Sequence, residues 1–429
     1  MAKKKGEAIQ TILAEIIKGL SSADHEEQDT AKNKLDDLSK KGFSTSDGIA
    51  LLRGATQKFP PRMWDWLDSS GDLIRAAAEA PNPEYISVIR DCFVEYSPKG
   101  KVEALYLLSL LSDRNAALAF MDLLHEHARS GQIPRLALIQ IQNSPRHPDI
   151  FFPRILDYTD IEEFSWDIRL LLLNYLEAGL VDTDRISDYA KVIEKDYVTL
   201  AENLMRLQKN EGNDWIWEDE YQELRREASL CLDLLGYFWD ESVKDLLRSA
   251  LSYNDPRLKY FAAVGLLRQS EVVEQRHLHN IAASPEMRNW FYDRLVKMDK
   301  VSLFPEEFKT QRAFAESNMV NWLTYPTELG RAPDEIELMH IGTFDTETED
   351  GLIDYFVFRF RTFEPHWAAK DGWIAGISGP FLRKDSPSTE SYGETFSQFE
   401  PWESKSAQEH LGDIQETISR WREYRSKNG

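Results

Sequence analysis

One stretch of sequence, WDESVKDLLRSALSYNDPRLKYFAAVGLLRQ at 239–269, constrains the fold of this chain most strongly. Apolar residues recur at helical spacing on both sides of the polar turn SYNDP. Asn254 or Asp255 can cap the second helix, and Pro256 fits the first turn of that helix. Gly265, with its small neighbours, predicts close packing on an adjacent helix. Two helices of this length cannot bury their apolar faces alone, so the stretch predicts a helical hairpin flanked by similar hairpins.

A weaker copy of this hairpin occupies 147–179, HPDIFFPRILDYTDIEEFSWDIRLLLLNYLEAG. It has the same order of apolar helix, acidic turn, Asp-X-Arg motif and apolar helix. The motif formed by Asp167 and Arg169 stands 88 residues before the motif formed by Asp255 and Arg257. That separation is close to two periods of a helical repeat of about 40–47 residues.

A third copy, PNPEYISVIRDCFVEYSPKGKVEALYLLSLL at 81–111, has Lys101 in the basic position. The Asp-X-Arg start and the Ala/Leu-rich second helix resemble HEAT repeats, particularly the short bacterial kind also seen in phycobilin-lyase-like proteins. The resemblance is carried by 239–269 and 81–179. It implies a mainly α protein whose residues 1–300 form an α-α superhelix, a HEAT-like solenoid.

The resemblance also implies a structural role for the two Asp-X-Arg motifs. In HEAT-type repeats such residues cap a helix and form a ladder between neighbouring repeats. The residues that would do so here are Asp167, Arg169, Asp255 and Arg257.

The pattern changes near residue 300, and period-two alternation predicts a small α+β domain at 301–429. Three segments read as strands of a roughly three-stranded antiparallel sheet: 336–344, 352–363 and 372–381. The segment 406–426 reads as a C-terminal amphipathic helix. We expect this helix to be the lid over the sheet face formed by Phe356, Phe358 and Phe360.

Charge and composition limit the classes of function that the chain can have. The formal net charge is −22, and 301–429 contributes −10 of it, with 13 Lys and Arg against 23 Asp and Glu. Acidity in both halves disfavours nucleic-acid binding, which depends on Lys and Arg against phosphates. It suits a soluble acidic surface, and it also suits steering of a basic protein partner.

The sequence also predicts a cytoplasmic protein with no membrane-spanning segment and no cofactor. No run of about 18 apolar residues occurs, and we read no signal peptide in MAKKKGEAIQ. Cys92 and Cys231 lie in apolar helical patterns, which favours buried thiols over a disulfide framework. His125 and His127, like the second His pair further on, are two residues apart and face away from each other on a helix, so we predict no metal site.

The insertion EGNDWIWEDEYQELRRE at 211–227 departs from the repeat pattern and carries an acidic aromatic patch. Its tryptophans are candidates for a protein contact, because Trp is enriched in interface hot spots. They are equally suited to lie in the groove between repeats. The candidate residues are Trp215, Trp217, Glu218, Asp219 and Glu220.

The predicted second strand offers another candidate surface, formed by Tyr355, Arg359 and Arg361 on the face opposite the phenylalanines. Two arginines on a pleated surface can bind carboxylates or phosphates bidentately. In so acidic a domain they can instead pair internally with Asp354, Glu337 or Asp371.

The segment EPHWAAKDGW provides weak catalytic candidates in Glu364, His366 and Asp371, which could form an acid/base pair after a strand. A tight loop whose charges bind backbone groups explains them equally well. No phosphate loop, nucleophile elbow or zinc spacing is present in the sequence.

These observations favour a non-catalytic protein–protein interaction scaffold of HEAT-repeat type, with an immunity-like protein that neutralises a basic partner as the finer hypothesis. The alternative is an enzyme or small-ligand-binding protein with its site in the C-terminal domain.

Overall fold

The computed structural model describes most of the chain, namely residues 2–208, 214–238, 240–345, 351–363, 372–391 and 395–428. Residue contacts divide it into two compact units, Met1–Val192 and Ile193–Gly429. The predicted domain boundary at residue 300 therefore lies inside the second unit.

The α-helices of the first unit are Ala2–Leu20 (α1), His25–Ser39 (α2), Thr45–Gly54 (α3), Ser69–Ala78 (α4), Tyr85–Cys92 (α5), Pro98–Leu110 (α6), Arg114–His127 (α7), Ile139–Asn143 (α8), Pro148–Phe151 (α9) and Glu162–Glu177 (α10). The odd-numbered helices contact one another in chain order, and so do the even-numbered helices. Helices also contact across the two layers, as α3 does with α4. This two-layer arrangement confirms solenoid-like packing of helical hairpins in this unit.

The α-helices of the second unit are Ser187–Leu207 (α11, which contains the unit boundary), Asp219–Leu235 (α12), Glu241–Ala250 (α13), Pro256–Arg268 (α14), Gln275–Ala283 (α15), Pro285–Lys297 (α16), Gln311–Leu323 (α17) and Ala407–Asn428 (α18). Helices α13 and α14 form the predicted hairpin, and α14 also contacts α12 and α16. A Cβ on Gly236, just after α12, would lie 2.6 Å from the Gly265 Cα. This close approach confirms the packing role predicted for Gly265.

Three antiparallel strands follow α17: Glu335–Asp345 (β1), Leu352–Arg361 (β2) and Ile374–Leu382 (β3). Their order is β1-β2-β3, and the three-stranded antiparallel sheet itself is as the sequence predicts. In the register, Leu338 lies opposite Phe358, and Phe358 lies opposite Gly376. A register shift between Leu338 and His340 places a bulge at Met339 in the edge strand β1.

The phenylalanine face of β2 is buried, as predicted, but the prediction of its lid is wrong. Phe356, Phe358 and Phe360 share a core with three residues of α17, which are Ala315, Met319 and Leu323. The C-terminal helix α18 lies on the other face of the sheet, where its Leu411 joins the core formed by Tyr355, Val357 and Ile377. Both faces of the sheet are therefore covered by helices.

Among the described residues, no helix is long and apolar enough to cross a membrane.

Candidate functional site

A groove runs along the even-numbered helices of the first unit. It has a volume of about 700 Å³. We call it the α4–α10 groove, and it is lined by Arg75, Ala78, Glu79, Val102, Glu103, Tyr106, Leu110, Arg135, Leu136, Ala137, Leu138, Ile139, Gln142, Asp167 and Leu170. A smaller cleft of about 330 Å³ between α2 and α4 shares Arg75 and Glu79 with it. The two clefts thus form one surface across the even-numbered layer.

Helical spacing places the polar side chains of the groove between apolar ones. On α6, Glu103, Tyr106 and Leu110 follow at intervals of three and four residues, which puts them on one face. Glu103 accepts hydrogen bonds from Arg75, one of them from Nε at 3.3 Å. The Tyr106 hydroxyl accepts a hydrogen bond from Gln140 Nε2 at 3.3 Å. These bonds hold the polar side chains of the groove wall in place.

Asp167 is a half-buried acidic residue of the groove. Its carboxylate makes no hydrogen bond or ion pair with any described residue. Burial raises the pKa of the Asp167 carboxyl, and the positive charge of Arg135 opposes this rise. Its backbone carbonyl accepts a hydrogen bond from Gln142 Nε2 at 3.3 Å. A carboxylate held in a groove without a hydrogen-bond partner is available to a ligand.

This placement predicts that Asp167→Asn stabilises the protein at neutral pH, by roughly 1 kcal/mol or less. The raised pKa means that the folded state binds a proton more tightly than the unfolded state. That contribution is complete below the unfolded pKa of about 3.9 and is lost as pH rises through the folded pKa. Thermal unfolding at pH 7 and at pH 3 measures the effect, which should be present at pH 7 and absent at pH 3. Equal unfolding temperatures of the two proteins at pH 7 would contradict it.

Asp255 confirms one of the two predicted helix caps and also binds Arg225. Its Oδ1 accepts the backbone N–H of Arg257 at 2.8 Å, which caps α14. Its two oxygens also accept hydrogen bonds from Arg225 Nε and Nη2 at 2.7 and 2.9 Å. Glu286, in the first turn of α16, accepts from Arg225 Nη1 and Nη2 at 3.0 and 2.9 Å. Arg225 thus links α12, α14 and α16.

Electrostatics explains why Arg225 keeps its charge in a fully buried position. Burial by itself lowers the pKa of Arg225, but Asp255 and Glu286 outweigh this and hold it above its usual range. Burial, with the Asp255 charge, also raises the pKa of Tyr221, whose hydroxyl donates to Asp255 Oδ2 at 3.0 Å. The ladder between hairpins therefore exists, with Arg225 as its cation.

Arg257, the predicted cation of that ladder, has a different partner. Its guanidinium lies over the Trp290 ring, 5.8 Å from the centroid, and its Nε is buried without a hydrogen bond. Burial, with the nearby charge of Arg225, lowers the pKa of Arg257.

The capping prediction is wrong for Asp167 and Arg169. Helix α10 begins at Glu162, so Asp167 is its sixth residue and Arg169 its eighth. The residue before α10, Ile161, makes no side-chain cap. Arg169 is buried within the helix layer.

The aromatic insertion divides between core and surface. Trp215 is buried, with its ring at right angles to Tyr221 and 4.7 Å from it. Trp217 is half-buried, and Arg225 lies 5.5 Å from its ring centroid. Three exposed acidic residues lie at the start of α12, where negative charge interacts favourably with the helix dipole: Glu218, Asp219 and Glu220. A protein-binding role for this set stays a prediction.

The arginines of β2 are paired internally, as one of the two alternatives predicted. Arg359 Nη2 lies 2.6 Å from Glu337 Oε2, and Arg361 Nη2 lies 2.5 Å from Glu335 Oε2. Both guanidinium groups also lie over the Trp373 ring, at 4.3 and 4.6 Å from its centroid. Tyr355, at the other end of the strand, is buried. Asp354 pairs with Arg383 instead.

The weak catalytic candidates Glu364, His366 and Asp371 lie outside the described residues. Within the described part of the chain, no group of three or more His, Cys, Asp or Glu side chains is arranged to hold a metal ion.

Comparison with protein-family models, with curated proteins and with solved structures finds no match for this chain. The HEAT-repeat resemblance therefore stays a prediction.

Sequence reasoning missed both the α4–α10 groove and the role of Arg225. The groove is lined by residues from four helices, and no local sequence pattern indicates it. Arg225 stands 30 residues before Asp255 and 61 before Glu286, beyond the reach of any spacing rule. A weak signal did exist for Arg225, since it is a cation at an apolar position of the α12 helical pattern.

Proposed function

We propose that this protein is a non-catalytic scaffold of HEAT-repeat type that binds another protein, and that the partner docks in the α4–α10 groove. The observation that carries the proposal is Asp167. This carboxylate is half-buried in the groove and makes no hydrogen bond with a described residue, so its burial costs the folded state some stability, which the charge of Arg135 only partly offsets. Groups kept at such a cost are characteristic of binding surfaces.

The proposed partner is basic. Arg75 is already engaged by Glu103, which leaves Glu79, Asp167 and Arg135 as the other charged side chains of the groove, two of them acidic. The net charge of −22 favours the approach of a cationic protein to the chain and disfavours that of an acidic one. An immunity-like role, in which the chain neutralises a basic toxin enzyme, fits this chemistry and is the finer form of the proposal.

Site-specific photo-crosslinking of the full chain in its native cell tests the proposal. A photoreactive phenylalanine analogue at Tyr106 should give protein adducts, because this side chain lines the groove. The same analogue at Val272, which is 92% exposed in the second unit, serves as the control. Identical adducts at both positions, or none at Tyr106, would overturn the proposal.

A binding measurement with the captured partner sharpens this test. Asp167→Asn should weaken binding about fivefold to tenfold although it stabilises the fold, because the charge that meets the partner is lost. Asp91→Asn is the matched control: it removes the same charge from an exposed position of the first unit outside the groove. If both variants weaken binding equally, only the overall charge acts and the groove has no specific role.

The alternative function, an enzyme or small-ligand binder with its site in the C-terminal domain, depends on Glu364, His366 and Asp371. It stays a prediction.

A further inference from the structure

The loop between α3 and α4 carries a cluster of exposed apolar side chains that the groove does not include. Met63, Trp64 and Trp66 are 60%, 50% and 70% exposed. The two indole rings are stacked, with centroids 5.0 Å apart and planes 10° from parallel. Large apolar side chains grouped in this way on a surface mark an interaction site more often than isolated ones do.

The cluster is held on a rigid base. Arg62, just before it, is buried and donates to Asp72 Oδ2 at 3.1 Å and to Asp29 Oδ1 at 2.8 Å. On the other side, Asp68 caps α4 by accepting the Gly71 backbone N–H at 2.6 Å. The exposed side chains are therefore displayed between two fixed points, which lowers the entropy cost of binding a partner.

The chemistry of the cluster selects a cation. Asp65, between the two tryptophans, is exposed and has no hydrogen bond or ion pair within the described residues. The indole faces are electron-rich, and a guanidinium stacks on them more favourably than an ammonium does.

The same chain already uses this pairing elsewhere. Trp217 and Trp290 are each faced by an arginine, Arg225 and Arg257 respectively, at 5.5 and 5.8 Å. Trp373 is faced by two arginines. In the described part of the chain, no arginine of this protein occupies the faces of Trp64 or Trp66.

We propose that residues 63–66, which we call the Trp loop, dock an arginine-bearing segment of a protein partner. An arginine of that segment stacks on the outer face of an indole and pairs with Asp65. The inference rests on the proposed function in one respect, that the partner is a basic protein. Because Asp72 both lines the smaller cleft and binds Arg62, the Trp loop is anchored at the edge of the surface that continues into the α4–α10 groove.

Two other occupants fit the observations less well. A lipid surface would accept Met63 and the tryptophans, but it would have to accommodate Asp65 between them and a protein of net charge −22. A second copy of this chain would bring an equal negative charge to the contact.

The test is fluorescence anisotropy with a labelled Arg-Gly repeat peptide and the full chain at physiological salt. A Lys-Gly peptide of equal length and charge is the ligand control. We expect the arginine peptide to bind at least threefold more tightly than the lysine peptide. Trp64→Ala/Trp66→Ala should weaken arginine-peptide binding at least tenfold without changing the net charge, whereas Trp290→Ala should change it less than twofold.

Three outcomes would overturn the proposal. The first is an unchanged affinity of the double Trp variant, which would assign binding to bulk charge. The second is flotation of the wild type, but not of the variant, with phosphatidylcholine vesicles in the absence of peptide binding. The third is a wild-type dimer that becomes monomeric in the variant. Crosslinking at Tyr106 reports on the groove separately. If crosslinking there fails while the peptide still binds, the proposed function is contradicted and the proposal for the Trp loop is retained.

Discussion

Arg225→Met should lower the free energy of unfolding of the second unit by about 3–5 kcal/mol. The substitution keeps most of the side-chain volume and removes the charge. It leaves Asp255, which is fully buried, and Glu286, which is largely buried, without their shared cation. Scanning calorimetry of the full chain should show the loss as a lower unfolding temperature.

The loss of stability comes less from the lost bonds to Arg225 than from Asp255 and Glu286, which stay buried without a counter-charge. Two carboxylates at the interface of α12, α14 and α16 would have to ionise in a poorly solvated place or take up protons. Either response weakens the contact between consecutive hairpins. Because Asp255 also caps α14, the start of that helix is disturbed as well.

Arg226→Met is the matched control, since Arg226 is the next residue of α12 and is exposed. It should change the free energy of unfolding by about 0.5 kcal/mol or less. Adding Asp255→Asn and Glu286→Gln to the Arg225 variant should recover much of the loss, because neutral amides are cheaper to bury than carboxylates. If Arg225→Met and Arg226→Met have equal effects, the network does not stabilise the hairpin interface.

Local sequence predicted the hairpin at 239–269 well because one residue settles where its second helix begins. Pro256 favours the first turn of a helix, which limited the cap to Asn254 or Asp255, and the structure shows Asp255 at the cap. The motif at Asp167 has the same residues but no proline after them. There the acidic and apolar residues upstream extend α10 towards its N-terminus, and Asp167 ends inside the helix facing the groove. A repeated motif therefore did not mean a repeated role.

The C-terminal sheet shows a second limit. Alternation along β2 correctly predicted two faces. One face is covered by α17, which precedes the sheet in the chain, and the other by α18, which follows it. Periodicity indicates that a face is buried and does not say which helix buries it. The Trp loop was open to prediction, because PPRMWDWLD places tryptophans two apart between prolines and a helix cap, where no helical face can bury them.

A chain that ends at residue 300 should aggregate or unfold at a temperature roughly 10–20 °C lower than the full chain. The cut removes α17 and with it the cover of α16. Phe291 and Tyr292 of α16 would lose their contacts with Phe304 and Phe314, both fully buried in the full chain. Losing two such aromatic groups from a core costs about 5 kcal/mol or more.

Polar contacts are lost at the same cut. Arg288 Nη1 donates to the Ala313 carbonyl and to Glu316, each at 2.8 Å, and the fragment leaves this largely buried cation without either acceptor. Size-exclusion chromatography with light scattering, together with thermal unfolding, measures the outcome. A chain that ends at residue 330 is the matched control, since it keeps α17 on α16 and should unfold at a temperature between the other two. If 1–300 is a soluble monomer as heat-resistant as the full chain, α17 and the sheet do not cap the hairpins, and the C-terminal part acts independently of them.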